Sequence, residues 1–545
     1  MTLFLILIGL VILICVWLNH VTNRIGVPTL LAFIVLGMIF GNNGLMAIHV
    51  EDMFFAEKTC TVALIFIMFY GGFGTRWESA GRVAVESGLL ASLGVVATAG
   101  MVGVFCHYAL HWSWLDGLLL GSVLGSTDAA SVFSILRSRK LGLKNNTASL
   151  LEVESGSNDP LAYMLTMVML SLRSGTASGG SVAVMLVGQI LFGVLGGWLM
   201  AIVAIYFFKK MRSRATAYGS LFVLAIAILS YALPTFIGGN GYLSAYLAGI
   251  IMGNADLKDK KNLVAFFDGI TGLMQVLIFF LLGLLARPAQ MHRVIVPALM
   301  IFTFMLLVAR PLAVDMVLTP FFRKKGYRFK QRALISFVGL RGAASIVFAI
   351  MATGSITDMK IDLFNIVFCV VLLSILLQGS LLPWVAGALD MIDNSVDVMK
   401  TFNDYVADTD MQFGRIGIKE GSAWEGKQIR ELGLPKNLLI AMILRDGQKV
   451  LPRGNTKIKA GDSVVIITKS FEDNHTFLEE HTVKPGGRWA GKRIMDYDRP
   501  ERGVVVMIRR GEKNTIPDGK TVLQVGDVLV LCHISPEEQT ETHIN

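Results

Sequence analysis

Between residues 2 and 388 the chain is a succession of about thirteen apolar stretches, near 2–20, 28–41, 57–74, 83–109, 115–136, 150–172, 181–208, 216–238, 241–253, 263–286, 293–320, 331–353 and 361–388. Roughly twenty apolar residues cross a bilayer as a helix, and a segment in lipid must satisfy its own backbone hydrogen bonds. The pattern predicts a polytopic α-helical membrane protein with about 13 transmembrane helices. Only 16% of the 545 residues are charged, against about a quarter in a soluble domain. The apolar character stops near residue 390, and the rest reads as soluble. The expected organisation is a membrane domain over 1–390, a linker over 391–411, and two modules over 412–470 and 471–545. The opening "MTLFLILIGLVILICVWLNH" has neither a basic n-region nor a small-residue cleavage site. It reads as a first membrane helix.

The net charge of +9 is a topology signal and not a nucleic-acid footprint. Alternate connections carry about twenty Lys and Arg, in Arg24, Arg76 and Arg82, "RSRK" with Lys144, "KKMRSR", "KDKK" and "RKKGYRFKQR". The intervening ones hold five: Lys58, Arg173, Arg287, Arg293 and Lys360. Basic loops face the cytoplasm, so the N-terminus is expected outside and the tail inside. Cys15, Cys60, Cys106, Cys369 and Cys532 show neither disulfide nor metal spacing and read as buried thiols. His49, His107, His111 and His292 fall on outer connections as ordinary solvated histidines.

The tail is duplicated at an offset of 65 residues. "WEGKQIRELGLP" (424–435) aligns with "WAGKRIMDYDRP" (489–500), and "LPRGNTKIKAGDSVVII" (451–467) with "IPDGKTVLQVGDVLVLC" (516–532). Each unit ends in a Gly-Asp turn before a β-branched run, which predicts a small β-rich module with one short helix. The modules resemble the C-terminal half of RCK domains, the TrkA-C type. That resemblance implies paired modules and a regulatory small ligand, cyclic di-AMP in some relatives. No GxGxxG follows a soluble strand, so a Rossmann cofactor is not expected.

A second echo lies in the membrane part. "GSTDAASVF" (125–133) in the fifth span matches "GLRGAASIV" (339–347) in the twelfth, and the two spans run in opposite directions in the topology above. Matching interrupted helices in antiparallel halves point to an inverted-repeat transporter and to its site. One copy carries Asp128 and the other Arg341.

The sixth span opens on "ESGSNDP" (154–160). A charge inside a membrane helix costs roughly 2.5 to 3.5 kcal/mol on insertion scales, so such groups pair or serve ion pathways. Helical spacing places Glu154 with Asn158, and Ser155 with Asp159, on one polar stripe. Pro160 lacks an N–H and frees the Gly156 carbonyl. These hard oxygen donors suit an alkali cation and not zinc. The other in-span charges are Arg310 and Asp315, the latter expected to be wet.

Together "TD", "ESGSND" and "GLRGA", in that order, resemble the monovalent cation/proton antiporters of the sodium/proton exchanger superfamily. With "STDAASVF" and the RCK-type tail, the resemblance narrows to the bacterial potassium/proton branch, and it covers the whole membrane body. It implies inverted repeats with two crossed broken helices, spans 5 and 12, a homodimer, and the bacterial inner membrane. It also implies that Asp159 binds cation and proton in turn, helped by Asp128, Thr127 and Ser155. Asn158 stands where the electrogenic branch has a second aspartate, which implies one-for-one exchange. Glu154 is then one half of a structural ion pair with Arg310, and Arg341 offsets the helix ends at the twelfth-span break. Relatives selective for sodium often carry an acidic residue in the third span. Here "FYGGFGTRW" has none before Glu78, which favours K+ over Na+.

Three other classes fit less well. A sodium/proton antiporter shares every motif but the third-span acid. An intramembrane aspartyl protease needs Gly-x-Gly-Asp and Tyr-Asp, where this chain has Asn158 and Thr127 before its aspartates. A ligand-gated potassium channel needs a TVGYG-like filter, and no such sequence is present.

Overall fold

The computed structural model describes residues 2–534 except 26–28, 42–52, 211–215, 322–328, 394–410, 470–475, 495–502 and one to three residues in some other loops. His49 and most of the basic "KKMRSR" and "RKKGYRFKQR" segments lie outside the described residues. The chain forms two units, Met1–Ala407 and Asp408–Asn545.

The first unit is helical: α1 (Thr2–Ile25), α2 (Thr29–Phe40), α3 (Met53–Gly74), α4 (Ala84–Leu110), α5 (Trp114–Val123), α6 (Ala129–Ser138), α7 (Thr147–Arg173), α8 (Gly179–Lys210), α9 (Thr216–Phe236), α10 (Gly241–Gly253), α11 (Lys260–Leu285), α12 (Met291–Phe321), α13 (Phe329–Phe337), α14 (Ala343–Ser355) and α15 (Leu363–Ala388). Among the described residues, seven helices are individually long and apolar enough to cross a membrane. The shortfall from thirteen has physical causes. α5, α6, α13 and α14 are half-length pieces. α7 is 27 residues long, but Glu152, Glu154 and Asp159 lower its hydropathy. α3 begins at Met53, so Lys58 stands within a helix and not in the connection where charge counting put it.

Among the described residues three helices contain a π turn, at Leu90–Gly94 in α4, Met305–Ala309 in α12 and Ser374–Gly379 in α15. Such turns loosen the i→i−4 ladder and collect at functional sites. Close helix packing uses small residues in place of side-chain burial. α3 and α10 meet backbone to backbone, and a Cβ on Gly249 would lie 2.9 Å from the Phe73 amide nitrogen.

After α15 the chain makes a two-residue strand. β1 (Gly142–Leu143), in the α6–α7 connection, pairs antiparallel with β2 (Ile392–Asp393). Lys144 seals it by an ion pair to Asp390 at 2.9 Å.

The second unit holds two four-stranded sheets of the same order. β3 (Met411–Gly417), β6 (Ser463–Lys469), β4 (Leu438–Arg445) and β5 (Gln448–Val450) form one, in that order. β7 (Thr476–Thr482), β10 (Val528–Ile534), β8 (Gly503–Arg510) and β9 (Lys513–Thr515) form the other. Each strand recurs 65 residues later, the offset of the sequence repeat. Gly461 and Gly526 supply the left-handed backbone of the Gly-Asp turns, at φ 84° and 90°. The following Asp462 and Asp527 are buried, and each takes a two-pronged hydrogen bond from Arg445 or Arg510 at 2.7–2.8 Å.

Candidate functional site

Two helix breaks and one continuous helix build the site. The chain is non-helical between α5 and α6 and again between α13 and α14, and the two breaks touch: the Asp128 amide donates to the Leu340 carbonyl at 2.8 Å. A broken helix exposes carbonyls at its C-terminal half and amides at its N-terminal half, with partial charges to match. Here both ends are answered by the side chains the echo carries. Arg341 Nη1 donates to the Ser126 carbonyl at 2.7 Å, beyond the end of α5. Asp128 caps α6, accepting from the Ser131 amide at 3.1 Å and from the Ser131 hydroxyl.

α7 closes the third side. Asn158 spends both amide atoms on Thr127, donating to Oγ1 at 2.5 Å and accepting from the amide at 3.4 Å. Ser155 Oγ donates to the Thr127 carbonyl at 2.7 Å and accepts from the Ala129 amide at 2.8 Å. Asp159, 6% exposed, accepts from the Ser126 hydroxyl. Glu154, five residues earlier, pairs with Arg310 at 2.5 Å. Arg310 directly follows the α12 π turn. Asp315 is half exposed and pairs with Arg332 at 2.9 Å, so it is wet but not idle.

The structure thus brings Asp128, Thr127, Asn158, Ser155, Asp159 and Arg341 to one point. It joins Glu154 and Arg310 in a buried ion pair. Asp159 is in a different position: it lines a cavity of about 350 Å³, and no described residue forms an ion pair with it. Ser126, Thr127, Asp128, Glu152, Ser155 and Gly156 share that cavity wall. Among the described residues no cluster of three His, Cys, Asp or Glu forms. The four cysteines of the helical unit are free and buried.

Sequence reasoning missed several members. Ser126 and Ser131 sit inside the quoted "GSTDAASVF", yet a serine among small residues of a packed helix carries no mark of its partner. Ser374 Oγ accepts from the Arg341 amide at 3.0 Å and donates to Gln378 at 2.6 Å, both within the α15 π turn. Asn240 donates to the Pro160 carbonyl at 2.7 Å from the start of α10. Gly156 leaves room for the Tyr246 ring, which a Cβ there would meet at 2.6 Å. His107, read as solvated, instead donates from Nδ1 to the Trp112 carbonyl at 2.8 Å and stacks on Trp114.

The family model "Sodium/hydrogen exchanger, transmembrane" matches residues 9–388, and the TrkA-C domain matches 415–470 and 478–537. The chain is 34% identical to the K(+)/H(+) antiporter NhaP of Alkalimonas amylolytica over 469 residues, which covers 85% of this chain and 81% of that protein. It is 32% identical to the K(+)/H(+) antiporter NhaP2 of Shewanella sp. (strain ANA-3) over 506 residues, covering 90% and 86%. Its fold matches the sodium proton antiporter MjNhaP1 of Methanocaldococcus jannaschii with a TM-score of 0.61 at 24% identity, over 71% of this chain and 99% of that one. The chain is a multi-pass membrane protein with two TrkA-C domains, and it belongs to the sodium/hydrogen exchanger family, whose members are secondary transporters and not enzymes.

Proposed function

We propose that this protein exchanges a monovalent cation, K+ in preference to Na+, for H+ at the Asp159 carboxylate. One observation carries the reading: of two buried carboxylates on one helix, Glu154 is paired with Arg310 and Asp159 opens onto a cavity. Proton and cation are alternative partners for an unpaired carboxylate, and Ser155, Thr127 and Asp128 offer the remaining oxygens. Asn158 adds no charge, which supports one-for-one, electroneutral exchange. The names of the relatives support K+ as the cation.

Alternating access follows from an inverted repeat in a fold of about 13 spans. Supporting it, the π turns of α4 and α12 and the breaks after α5 and α13 recur about 215 residues apart. The orientation is N-terminus outside and tail in the cytoplasm of a bacterial inner membrane, as the basic connections imply. A homodimer, domain limits near 390 and 412, and regulation through the tail, with cyclic di-AMP as the candidate ligand, complete the proposal. In proteoliposomes, K+ added to the outside should drive proton flux in the wild type and none in Asp159→Asn. Flux unchanged in that variant rejects the assignment.

A further inference from the structure

The cavity in front of Asp159 has a second polar wall. On α7, Glu152, Ser155 and Asp159 line it at spacing i, i+3, i+7; on α11, Asp268, Thr271 and Gln275 line it at the same spacing. At 1.5 Å per residue each row rises about 10 Å along its helix. Each helix begins at a basic connection, "RSRK" with Lys144 before α7 and "KDKK" at the start of α11, so the two rows run in the same sense along the chain's topology. Gly272, the one other α11 lining residue, leaves the space between the rows clear.

Three features mark the α11 row as built for a ligand. Asp268 is exposed, lines the cavity and is held by Tyr70, whose hydroxyl donates to Oδ1 at 3.1 Å. Tyr70 lies in "FYGGFGTRW", the third-span stretch that lacks a carboxylate, so the neighbouring helix supplies one there. Thr271 is 7% exposed, lines the cavity, and its hydroxyl has no hydrogen-bond partner among the described residues. A buried polar group left without a partner costs about 1–3 kcal/mol, a cost a ligand oxygen contact or bound cation relieves. Gln275 adds a carbonyl one turn deeper.

We infer that the Asp268–Thr271–Gln275 row is a specificity-determining wall of the cation path, taking a partly dehydrated alkali cation and passing it to Asp159. Asp268 attracts the cation at the mouth. The Thr271 hydroxyl and Gln275 carbonyl replace waters of its shell on the way in. The row itself exchanges no proton, so it sets apparent cation affinity and the K+/Na+ preference, while Asp159 sets coupling. The inference rests on the antiport reading above.

The test is cation-evoked proton flux by the full-length protein in proteoliposomes, titrated with K+ and with Na+. Asp268→Asn should raise the half-saturating K+ concentration about tenfold and leave maximal flux within twofold, and Asp268→Glu should restore it. Thr271→Val should change the K+/Na+ ratio of half-saturation at least threefold, and Thr271→Ser should not. Unchanged half-saturation in both Asn and Val variants overturns the inference. So does a loss of maximal flux without a shift in half-saturation, provided Asp268→Glu and Thr271→Ser lose it too, because that is the mark of a structural role. No cation-evoked flux in the wild type would instead overturn the antiport reading itself.

Discussion

Glu154 and Arg310 meet at 2.5 Å, with side chains 1% and 5% exposed. Two elements 156 residues apart are thereby tied across the middle of the helical unit. Removing one partner of a buried pair typically costs about 3–5 kcal/mol, because the other charge is left uncompensated. Glu154→Ala and Arg310→Ala should each lower the melting temperature of the detergent-purified protein sharply. Glu154→Gln combined with Arg310→Met should recover most of it. A double variant no better than either single one would mean the pair is not the source of the loss.

Gly342 lies at the start of α14 against the other break. A Cβ there would stand 2.5 Å from the Asp128 Cβ and 2.6 Å from its Cγ, so Gly342→Ala must push the α6 cap away. Overpacking of this kind costs about 1–3 kcal/mol. Transport should fall by at least tenfold while the protein still elutes as a folded species. Normal transport by Gly342→Ala would show that the breaks do not need this approach.

How much of this could be read from the sequence differs by level. Some apolar stretches were legible as whole helices, as 83–109 is α4, Ala84–Leu110, while 115–136 and 331–353 are each split into shorter pieces. The strands of the tail were legible because the repeat doubles each signal. The π turns were not, since "LASLG" and "MLLVA" read as ordinary helix and the bulge arises from packing. The α11 row was also invisible. Asp268 lies near the end of a span beside a basic connection, where a charge looks like any headgroup-level residue. Its partner Tyr70 is 198 positions away. Asp128 was visible as a buried charge, but its cap on α6 depends on Ser131 and on the break itself, which emerge only in the fold.

The tail offers a pH test. Arg445 hydrogen-bonding holds the Asp462 carboxyl below the usual carboxylate range, and Arg510 does the same for Asp527. A carboxyl depressed in the folded state adds stability above its unfolded value, about 3.9, and loses it as pH falls through the folded value. Hydrogen exchange of β6 and β10 in the full-length protein should be flat from pH 7 to about 5 after correction for intrinsic rates. Protection should then fall below about pH 4. Asp462→Asn and Asp527→Asn should abolish that acid transition in their own module only. An identical transition in both variants would assign it elsewhere.

Asn158 donates to Thr127 Oγ1 and accepts from the Thr127 amide. Asn158→Asp keeps the acceptor, and the threonine hydroxyl can turn to donate in place of the lost amide. The variant should therefore fold, and it places a second carboxylate beside Asp159. Its exchange should become sensitive to an imposed membrane potential, which the wild type's should not. Equal sensitivity in the two proteins would remove Asn158 from the stoichiometry argument.

The central claim is that cation and proton compete for one carboxylate, Asp159. It is tested most directly by measuring the half-saturating K+ concentration of proton flux across a pH series. Competition predicts that in the acidic arm half-saturation rises about tenfold for each unit fall in pH, with maximal flux at saturating K+ unchanged. A half-saturation that stays constant while maximal flux falls would place proton and cation on separate sites and contradict the account.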